Sequence, residues 1–217
     1  MKTALLIGAT GLVGSHLLDL LLKDPRFNKV KVFTRRSTGK KDEKLEEFVI
    51  DFDNVKGWAH QISGDVLFSS LGTTIRKAGS QDAQYKIDYT YQYEVANQAS
   101  QIGIGTYVLV SSAGASPKSK IFYSRMKGEL EEAVSKLPFH NIRILQPGIL
   151  DGQRVESRPA EKMAIQISKV LTYIPWIKKF RPIHAEIVAK AMINAFFDDQ
   201  AGIRKYTLEE VFALAIG

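Results

Sequence analysis

A series of glycines between an apolar run and a leucine-rich segment constrains this chain more than any other feature. The run Thr3–Ile7 (TALLI) is typical of a buried strand, and it leads directly into GATGLVG, which carries Gly8, Gly11 and Gly14. The following residues, SHLLDLLL, repeat leucine with helical spacing. Glycine at such a junction permits a tight turn and close packing of a helix on a strand. We therefore predict a strand, a sharp turn and a helix as the first structural unit.

The rest of the chain alternates strand-like runs with amphipathic segments. We predict further strands at Val30–Thr34, Glu47–Ile50, Asp65–Ser69, Thr106–Ser111 and Asn141–Leu145, and helices at Tyr85–Gln101 and Ser124–Leu137. Strands that alternate with helices imply a parallel sheet covered on both faces. With 217 residues, of which 45% are apolar, the chain has the size of one domain. The expected fold is α/β, a Rossmann-type doubly wound parallel sheet over residues 1–217.

The pattern loosens after Pro147. Two helical candidates, Ile165–Phe180 and His184–Phe197, predict a small C-terminal helical elaboration, with residues of about 150–217 on the substrate side as a lid. The segment Met163–Phe180 is apolar and basic, which is also the composition of a helix on a membrane surface. Pro175 interrupts it, and this favours a lid or ordinary packing over a membrane contact.

The glycine turn also predicts a ligand. The N-terminus of the helix after it offers N–H donors and the positive end of a dipole, which suit a pyrophosphate. The competing interpretation is a glycine turn that only serves packing. The residues expected to contact a dinucleotide are Gly8, Thr10, Gly11, Leu12, Val13 and Gly14.

The end of the second strand indicates which dinucleotide is bound. Proteins that bind NAD place an acid about 20 residues after the glycines to bind the ribose 2′-hydroxyl, whereas a 2′-phosphate calls for arginine. This chain has Arg35 and Arg36 there and no acid. NADP(H) is therefore the preferred cofactor and NAD(H) the alternative, unless both arginines are simply solvated. Asp51 and Phe52, after the third strand, are expected to line the adenine pocket.

Two further strand ends carry small polar residues. The fourth strand runs into Ser70, Leu71, Gly72 and Thr73, and the fifth into Ser111 and Ser112. Because ligands of open parallel sheets bind at the carboxyl ends of strands, these turns are expected to face the cofactor.

A tyrosine and a lysine follow that fifth strand. Tyr123 and Lys127 are four residues apart, so a helix places them on one face. A neighbouring ammonium and the positive nicotinamide would favour the phenolate of Tyr123 and make it a usable acid or base. Ser112 would donate a hydrogen bond to the substrate oxygen. The competing interpretation is an ordinary Tyr–Lys pair on a helix surface, because the motif is short.

These motifs together resemble a known family. GATGLVG, the arginine pair, SLGTT, VSSAGA, YSRMKGELE, QPGIL and ESRP are similar to those of atypical short-chain dehydrogenases/reductases. The greatest resemblance is to the Tat-interacting-protein-like NAD(P)-binding oxidoreductases and their bacterial relatives, and it extends from Lys2 to about Phe197. The GxxGxxG spacing, in place of GxGxxG, is typical of the same family.

The resemblance implies an NADP(H)-dependent oxidoreductase that acts on an unidentified carbonyl or alcohol. It implies Ser112, Tyr123 and Lys127 as catalytic residues, and it places Gly72 and Thr73 beside the cofactor. The loop near the nicotinamide would be Pro147, Gly148 and Ile149. One departure affects the proton relay: the helix-borne Asn of many family members has no clear match, since this helix begins Tyr85-Lys86-Ile87-Asp88. The alternative is an NADP(H)-binding regulatory or scaffold protein with little turnover.

Composition removes several other classes of function. The net charge of +7 comes from basic residues scattered among 23 acids, without a nucleic-acid-binding motif, so a small-molecule substrate is expected and no nucleic acid. The four histidines lack metal-ligand spacing and there is no cysteine, so no metal is expected. A nucleotide-sugar epimerase is disfavoured because few residues remain after Gly148 for a sugar-nucleotide domain.

No signal peptide or membrane span is recognised, which predicts a cytoplasmic protein. Oligomeric state is left open.

Overall fold

The computed structural model describes residues 1–151 and 182–216. Its main strands are β1 (Lys2–Ile7), β2 (Phe27–Thr34), β3 (Leu45–Val49), β4 (Val66–Ser69), β5 (Thr106–Val110), β6 (Asn141–Gln146) and β9 (Gly202–Thr207). They form one parallel sheet in the order β3-β2-β1-β4-β5-β6-β9. Two short strands, β7 (Leu150–Asp151) and β8 (Ile183–His184), pair separately. The prediction of a Rossmann-type doubly wound sheet is confirmed.

The helices lie between these strands. They are α1 (Leu12–Lys23), α2 (Val55–Trp58), α3 (Ile75–Ala78), α4 (Gln81–Tyr85), α5 (Tyr91–Ile102), α6 (Phe122–Val134), α7 (Ala185–Phe196) and α8 (Glu209–Ile216). A π-helical turn, Lys86–Thr90, joins α4 to α5, and 3₁₀ turns at Phe52–Asn54 and Ala59–Gln61 flank α2. Among the residues described, no helix is both long and apolar enough to cross a membrane.

The sheet separates two apolar cores. Along β1, Ala4 and Leu6 pack in the core that contains α1 and α7, whereas Leu5 and Ile7 pack in the core that contains α5 and α6. Successive side chains of a strand point to opposite faces, so a strand buried on both faces reads as a continuous apolar run. The strand order reverses between β1 and β4, and the crevice at their carboxyl ends is where such sheets bind ligands.

The C-terminal part departs from the expected lid. Helix α7 contributes buried apolar residues to the core beside α1, and β9 pairs with the whole of β6. The prediction that His184–Phe197 forms part of a lid is therefore wrong, because its apolar face covers the sheet. The other lid candidate, Ile165–Phe180, lies outside the described residues, as does the segment Met163–Phe180.

A buried arginine fastens β9 to this structure. Arg143 of β6 is 1% exposed, and its guanidinium donates hydrogen bonds to the carbonyl oxygens of Ala195 (3.2 Å), Asp198 (3.0 Å) and Gly202 (2.6 Å). The last carbonyls of a helix lack partners within the helix. Arg143 supplies donors at the end of α7 and thereby fixes the chain that enters β9.

Candidate functional site

Two glycines of the first turn, Gly8 and Gly14, are required by close contacts with main-chain atoms. Gly8 has φ of +89°, and a Cβ on it would lie 2.5 Å from the carbonyl carbon of Ser70. A Cβ on Gly14 would lie 2.0 Å from the carbonyl oxygen of Gly8. Gly11 precedes α1 as its N-cap and, being glycine, has no side chain with which to cap that helix end. The arrangement packs α1 tightly on β1, and the N-cap residue leaves the N–H groups in the first turn of α1 without a side-chain acceptor of its own.

The turn after β4 lies directly against the glycine turn. The N–H and hydroxyl of Ser70 donate to the carbonyl oxygen of Ile7 at 3.1 and 3.2 Å. Thr73 is held at both of its peptide groups, because its N–H donates to Asp88 Oδ1 (2.7 Å) and its carbonyl oxygen accepts from Gln84 Nε2 (3.1 Å). The structure therefore brings Ser70, Leu71, Gly72 and Thr73 to the same edge of the sheet as the glycines.

Asp88 is a residue of the site whose structural role was not predicted from the sequence. It lies in the π-helical turn, is 1% exposed, and its carbonyl oxygen accepts a hydrogen bond from Gln92 Nε2 (2.5 Å). Gln92 Oε1 in turn accepts from the hydroxyl of Ser69 (2.6 Å). A π-helical turn inside an α-helix often occurs at a functional site. Here it places a carboxylate under the turn that contains Gly72 and Thr73.

Arg35 and Arg36 are exposed at the end of β2. The carbonyl oxygen of Arg36 accepts a hydrogen bond from Thr34 Oγ1 at 2.9 Å, which fixes the main chain at this point. Within the two described ranges, neither guanidinium forms an ion pair with a carboxylate. Both are therefore available to an anionic group of a ligand at this edge of the sheet.

Asp51 and Phe52 lie at the carboxyl end of β3. The carboxylate of Asp51 accepts from the N–H of Asp53 at 2.9 Å and caps the 3₁₀ turn. The ring of Phe52 is 4% exposed and stacks on Tyr91 at 5.3 Å between ring centres. Because that ring is part of the core, an adenine contact by Phe52 would use its main chain.

Backbone pairing beyond β5 and β6 brings two further loops together. The N–H of Ser111 donates to Leu145 (2.7 Å), and that of Ala113 donates to the carbonyl oxygen of Pro147 (2.9 Å). Ser112 lies between these two bonds, so it is held beside the loop that contains Pro147, Gly148 and Ile149. The hydroxyl of Ser111 donates to Glu131, which directs this side chain away from solvent.

The loop after Ser112 also packs on the start of α6. The N–H of Ser116 donates to the carbonyl oxygen of Ser124 at 3.0 Å, and a Cβ on Gly128 would lie 2.2 Å from the carbonyl carbon of Ser116. Tyr123 lies in the first turn of α6, partly exposed, while Lys127 one turn later is 3% exposed. The loop that follows Ser112 is thereby held against the start of α6, the helix that carries Tyr123 and Lys127.

A buried carboxylate ties this helix to residues of β6 and β9 and to the residue that follows β5. Glu131, one turn beyond Lys127, is 2% exposed and accepts hydrogen bonds from Ser111, from Gln146 Nε2 (2.8 and 3.0 Å) and from Lys205 Nζ (2.8 Å). A buried charge requires such donors. The residue was missed from the sequence because Gln146 and Lys205 are distant in the chain and β9 was not predicted.

Sequence comparisons identify relatives over most of the chain. The sequence model of a family described as NAD(P)H-binding matches residues 8–151. The protein fmp52-1, mitochondrial, of Aspergillus terreus is 41% identical over 204 residues, which cover 90% of this chain and 87% of the relative. FMP52 of Saccharomyces cerevisiae, also named mitochondrial, is 41% identical over 158 residues, 71% of this chain and 68% of that protein.

Solved structures share the fold at low sequence identity. The UDP-Glc/GlcNAc 4-epimerase from Campylobacter jejuni has a TM-score of 0.72 at 17% identity. The match covers 98% of this chain and 82% of the epimerase chain. A short-chain dehydrogenase/reductase superfamily protein from Agrobacterium tumefaciens with bound NAD has a TM-score of 0.68 at 15% identity, with 95% and 77% covered. These similarities describe the fold alone.

The relatives correct one expectation. A cytoplasmic location was expected, but the homologous proteins of A. terreus, A. fumigatus and S. cerevisiae are named as mitochondrial. The expectation was therefore wrong. It rested on the lack of a secretory signal peptide, a criterion that does not test for import into an organelle.

Proposed function

We propose that this chain, which belongs to the NAD(P)H-binding family, is an NADP(H)-dependent oxidoreductase. It has fungal FMP52 proteins as relatives and shares the fold of short-chain dehydrogenases. Its substrate would be a carbonyl compound or the corresponding alcohol. The names of the relatives state no activity, and they support a mitochondrial location for this protein.

The close packing of main-chain atoms around the glycine turn is the observation that carries the cofactor assignment. At Gly8 and Gly14 a Cβ would collide with main-chain atoms, so the backbone is packed as a dinucleotide turn requires. The uncapped start of α1 offers N–H donors for a pyrophosphate, with Gly11, Leu12 and Val13 as the contacting residues. Arg35 and Arg36 would bind the 2′-phosphate, which gives the preference for NADP(H) over NAD(H).

The proposed chemistry uses Tyr123 as the proton donor. When bound, the reduced cofactor supplies a hydride to the carbonyl carbon of the substrate. Tyr123 Oη then gives its proton to the carbonyl oxygen, so that an alcohol forms and the phenolate remains until solvent restores the proton. Ser112 would hold that oxygen by a hydrogen bond. Lys127, one helical turn from Tyr123, would stabilise the phenolate and bind the ribose hydroxyls.

The burial of Lys127 supports this assignment. An ammonium in a nearly fully buried position requires compensation by neighbouring polar groups. The described residues provide no carboxylate in an ion pair with Lys127. The ribose hydroxyls and the Tyr123 phenolate are the partners that the proposed function supplies.

A direct assay tests the proposed function. Purified protein is titrated with NADPH and NADH by nicotinamide fluorescence, and NADPH oxidation is then followed with a panel of aldehydes, ketones and quinones. Oxidation that depends on both protein and substrate supports the oxidoreductase. Tight NADPH binding with no oxidation across the panel favours a cofactor-binding regulator instead.

A further inference from the structure

The loop after β2 is held by an acid of the neighbouring strand. Thr38 donates two hydrogen bonds to Glu47 Oε2, from its N–H at 2.8 Å and from its hydroxyl at 2.5 Å. Glu47 pairs with Val32 in the sheet, so its side chain lies on the face of the sheet that α1 covers. Lys40 extends the same attachment through an ion pair with Asp19 of α1.

These contacts flank the two arginines. On one side, Thr34 fixes the carbonyl oxygen of Arg36. On the other side, Glu47 fixes Thr38 through two hydrogen bonds. The main chain of Arg35 and Arg36 is therefore anchored before and after, while both side chains remain exposed. Pre-ordering a binding loop lowers the entropy that is lost when the ligand binds.

The orientation of the Glu47 carboxylate also determines whether this acid favours NADP(H) or NAD(H). A carboxylate that faced the ribose would repel a 2′-phosphate and favour NAD(H). The oxygens of Glu47 instead accept hydrogen bonds from the loop. Burial raises the pKa of Glu47, but hydrogen bonding from the loop, which includes both bonds from Thr38, outweighs it and holds the pKa below its ordinary value. Glu47 is therefore ionised at neutral pH, as a strong acceptor for these donors must be.

We propose that Glu47 is a positioning residue for cofactor choice: by holding Thr38 it presents Arg35 and Arg36 to the 2′-phosphate of NADP(H). The inference rests on the proposed NADP(H) function and adds a residue that acts through the arginines. Glu47 would therefore differ in role from the acids that bind the ribose in NAD-specific proteins, because the carboxylate of Glu47 is directed to the loop.

The test compares variants that differ in charge and in hydrogen bonding. Thr38→Val removes the hydroxyl donor without changing charge. Glu47→Gln removes a charge, and Glu46→Gln is its matched control because Glu46 is the adjacent residue of β3 and pairs with Lys29 instead. Calorimetry measures the Kd of NADPH, NADH, adenosine 2′,5′-bisphosphate and 5′-AMP for each folded variant. Thermal unfolding shows whether each variant is folded.

We expect Thr38→Val to raise the Kd of NADPH and of the bisphosphate by about 10-fold, the loss of roughly one hydrogen bond, with NADH and 5′-AMP changed by less than about 2-fold. Glu47→Gln should show the same selective loss relative to Glu46→Gln. Equal Kd values for NADPH and NADH in the wild type would overturn the NADP(H) assignment and this inference with it. A wild type that prefers NADPH, together with variants that retain the full preference, would overturn the inference alone.

Discussion

The hydroxyl of Ser111 at the end of β5 donates a hydrogen bond to the carboxylate of Glu131 on α6. This bond joins the strand that leads into Ser112 to the helix that carries Tyr123 and Lys127. Gln146 and Lys205 bind the same carboxylate from β6 and β9. The roll of α6 relative to the sheet edge is therefore fixed by one buried acid.

Replacing that acid should destabilise the protein. Glu131→Gln removes the charge that Lys205 pairs with and turns an amide group toward donors, and we expect a loss of about 1–3 kcal/mol in the free energy of unfolding. Glu132→Gln is the control, because Glu132 is exposed and pairs with Lys136 in the adjacent turn. Urea unfolding measures both. A Glu131→Gln variant as stable as the control would contradict the role of this carboxylate.

The arginine pair should determine cofactor choice. Arg35→Ala with Arg36→Ala removes charge-assisted hydrogen bonds worth roughly 1.5–3 kcal/mol each, so NADPH should bind far more weakly. NADH has no 2′-phosphate, and its affinity should change little. Calorimetry with both cofactors measures the difference, and equal losses for NADPH and NADH would refute the assignment.

Two glycines of the first turn should respond differently to substitution. A Cβ on Gly14 meets the carbonyl oxygen of Gly8 at 2.0 Å, so Gly14→Ala should prevent α1 from packing on β1 and should strongly lower stability. A Cβ on Gly11 lies 3.1 Å from the same atom, which small shifts relieve. Gly11→Val should therefore fold but obstruct the pyrophosphate. Circular dichroism and NADPH titration test this, and normal NADPH binding by folded Gly11→Val would exclude the turn as the cofactor site.

Tyr206 should make stability depend on alkaline pH. Burial, together with the hydrogen bond to Asp198, raises the pKa of Tyr206 to about 12. Because the folded-state pKa is raised above the ordinary value, this contribution is complete below about pH 10 and is lost as pH rises through 12. The wild type should exceed Tyr206→Phe in unfolding free energy by about 1 kcal/mol at pH 8, and the difference should shrink above pH 10. A difference that is constant with pH would contradict this linkage.

Features determined by local sequence could be predicted. The conformations of β1, the glycine turn and the start of α1 are determined by residues close together in the chain. The apolar run, the spacing of the glycines and the leucine repeat therefore identify these elements from the sequence. Strand β9 was missed because it is an edge strand with Arg204 and Lys205 in its centre, and such charges lower the apolar signal of a strand. Its position follows from pairing with β6 and from Arg143, which are distant in the chain.

The polar contacts beneath the site depend on tertiary structure. Asp88 lies in a π-helical turn, and helical periodicity predicts only a continuous helix over Tyr85–Gln101. Glu131 and Glu47 resemble ordinary surface acids in the sequence, and only their partners in space distinguish them. The assignment of Ser112, Tyr123 and Lys127 to catalysis remains a prediction that needs kinetic tests.

Lys127 should have two separable roles. Lys127→Met should weaken NADPH binding, because the ribose hydroxyls lose a donor. It should also lower turnover, because the phenolate left when Tyr123 gives up its proton would lose a neighbouring positive charge. Binding by fluorescence and turnover by NADPH oxidation are measured on the same variant, and a loss of only one of them would contradict the combined role.

The most direct test of the oxidoreductase mechanism is the turnover of Tyr123→Phe, with Tyr93→Phe of α5 as a matched control. The substitution keeps the ring but removes the proton donor, so NADPH affinity should be unchanged while kcat falls by about 10² to 10⁴, the usual effect of losing a general acid. Tyr93→Phe should retain wild-type kcat. A Tyr123→Phe variant as active as the wild type would refute the mechanism.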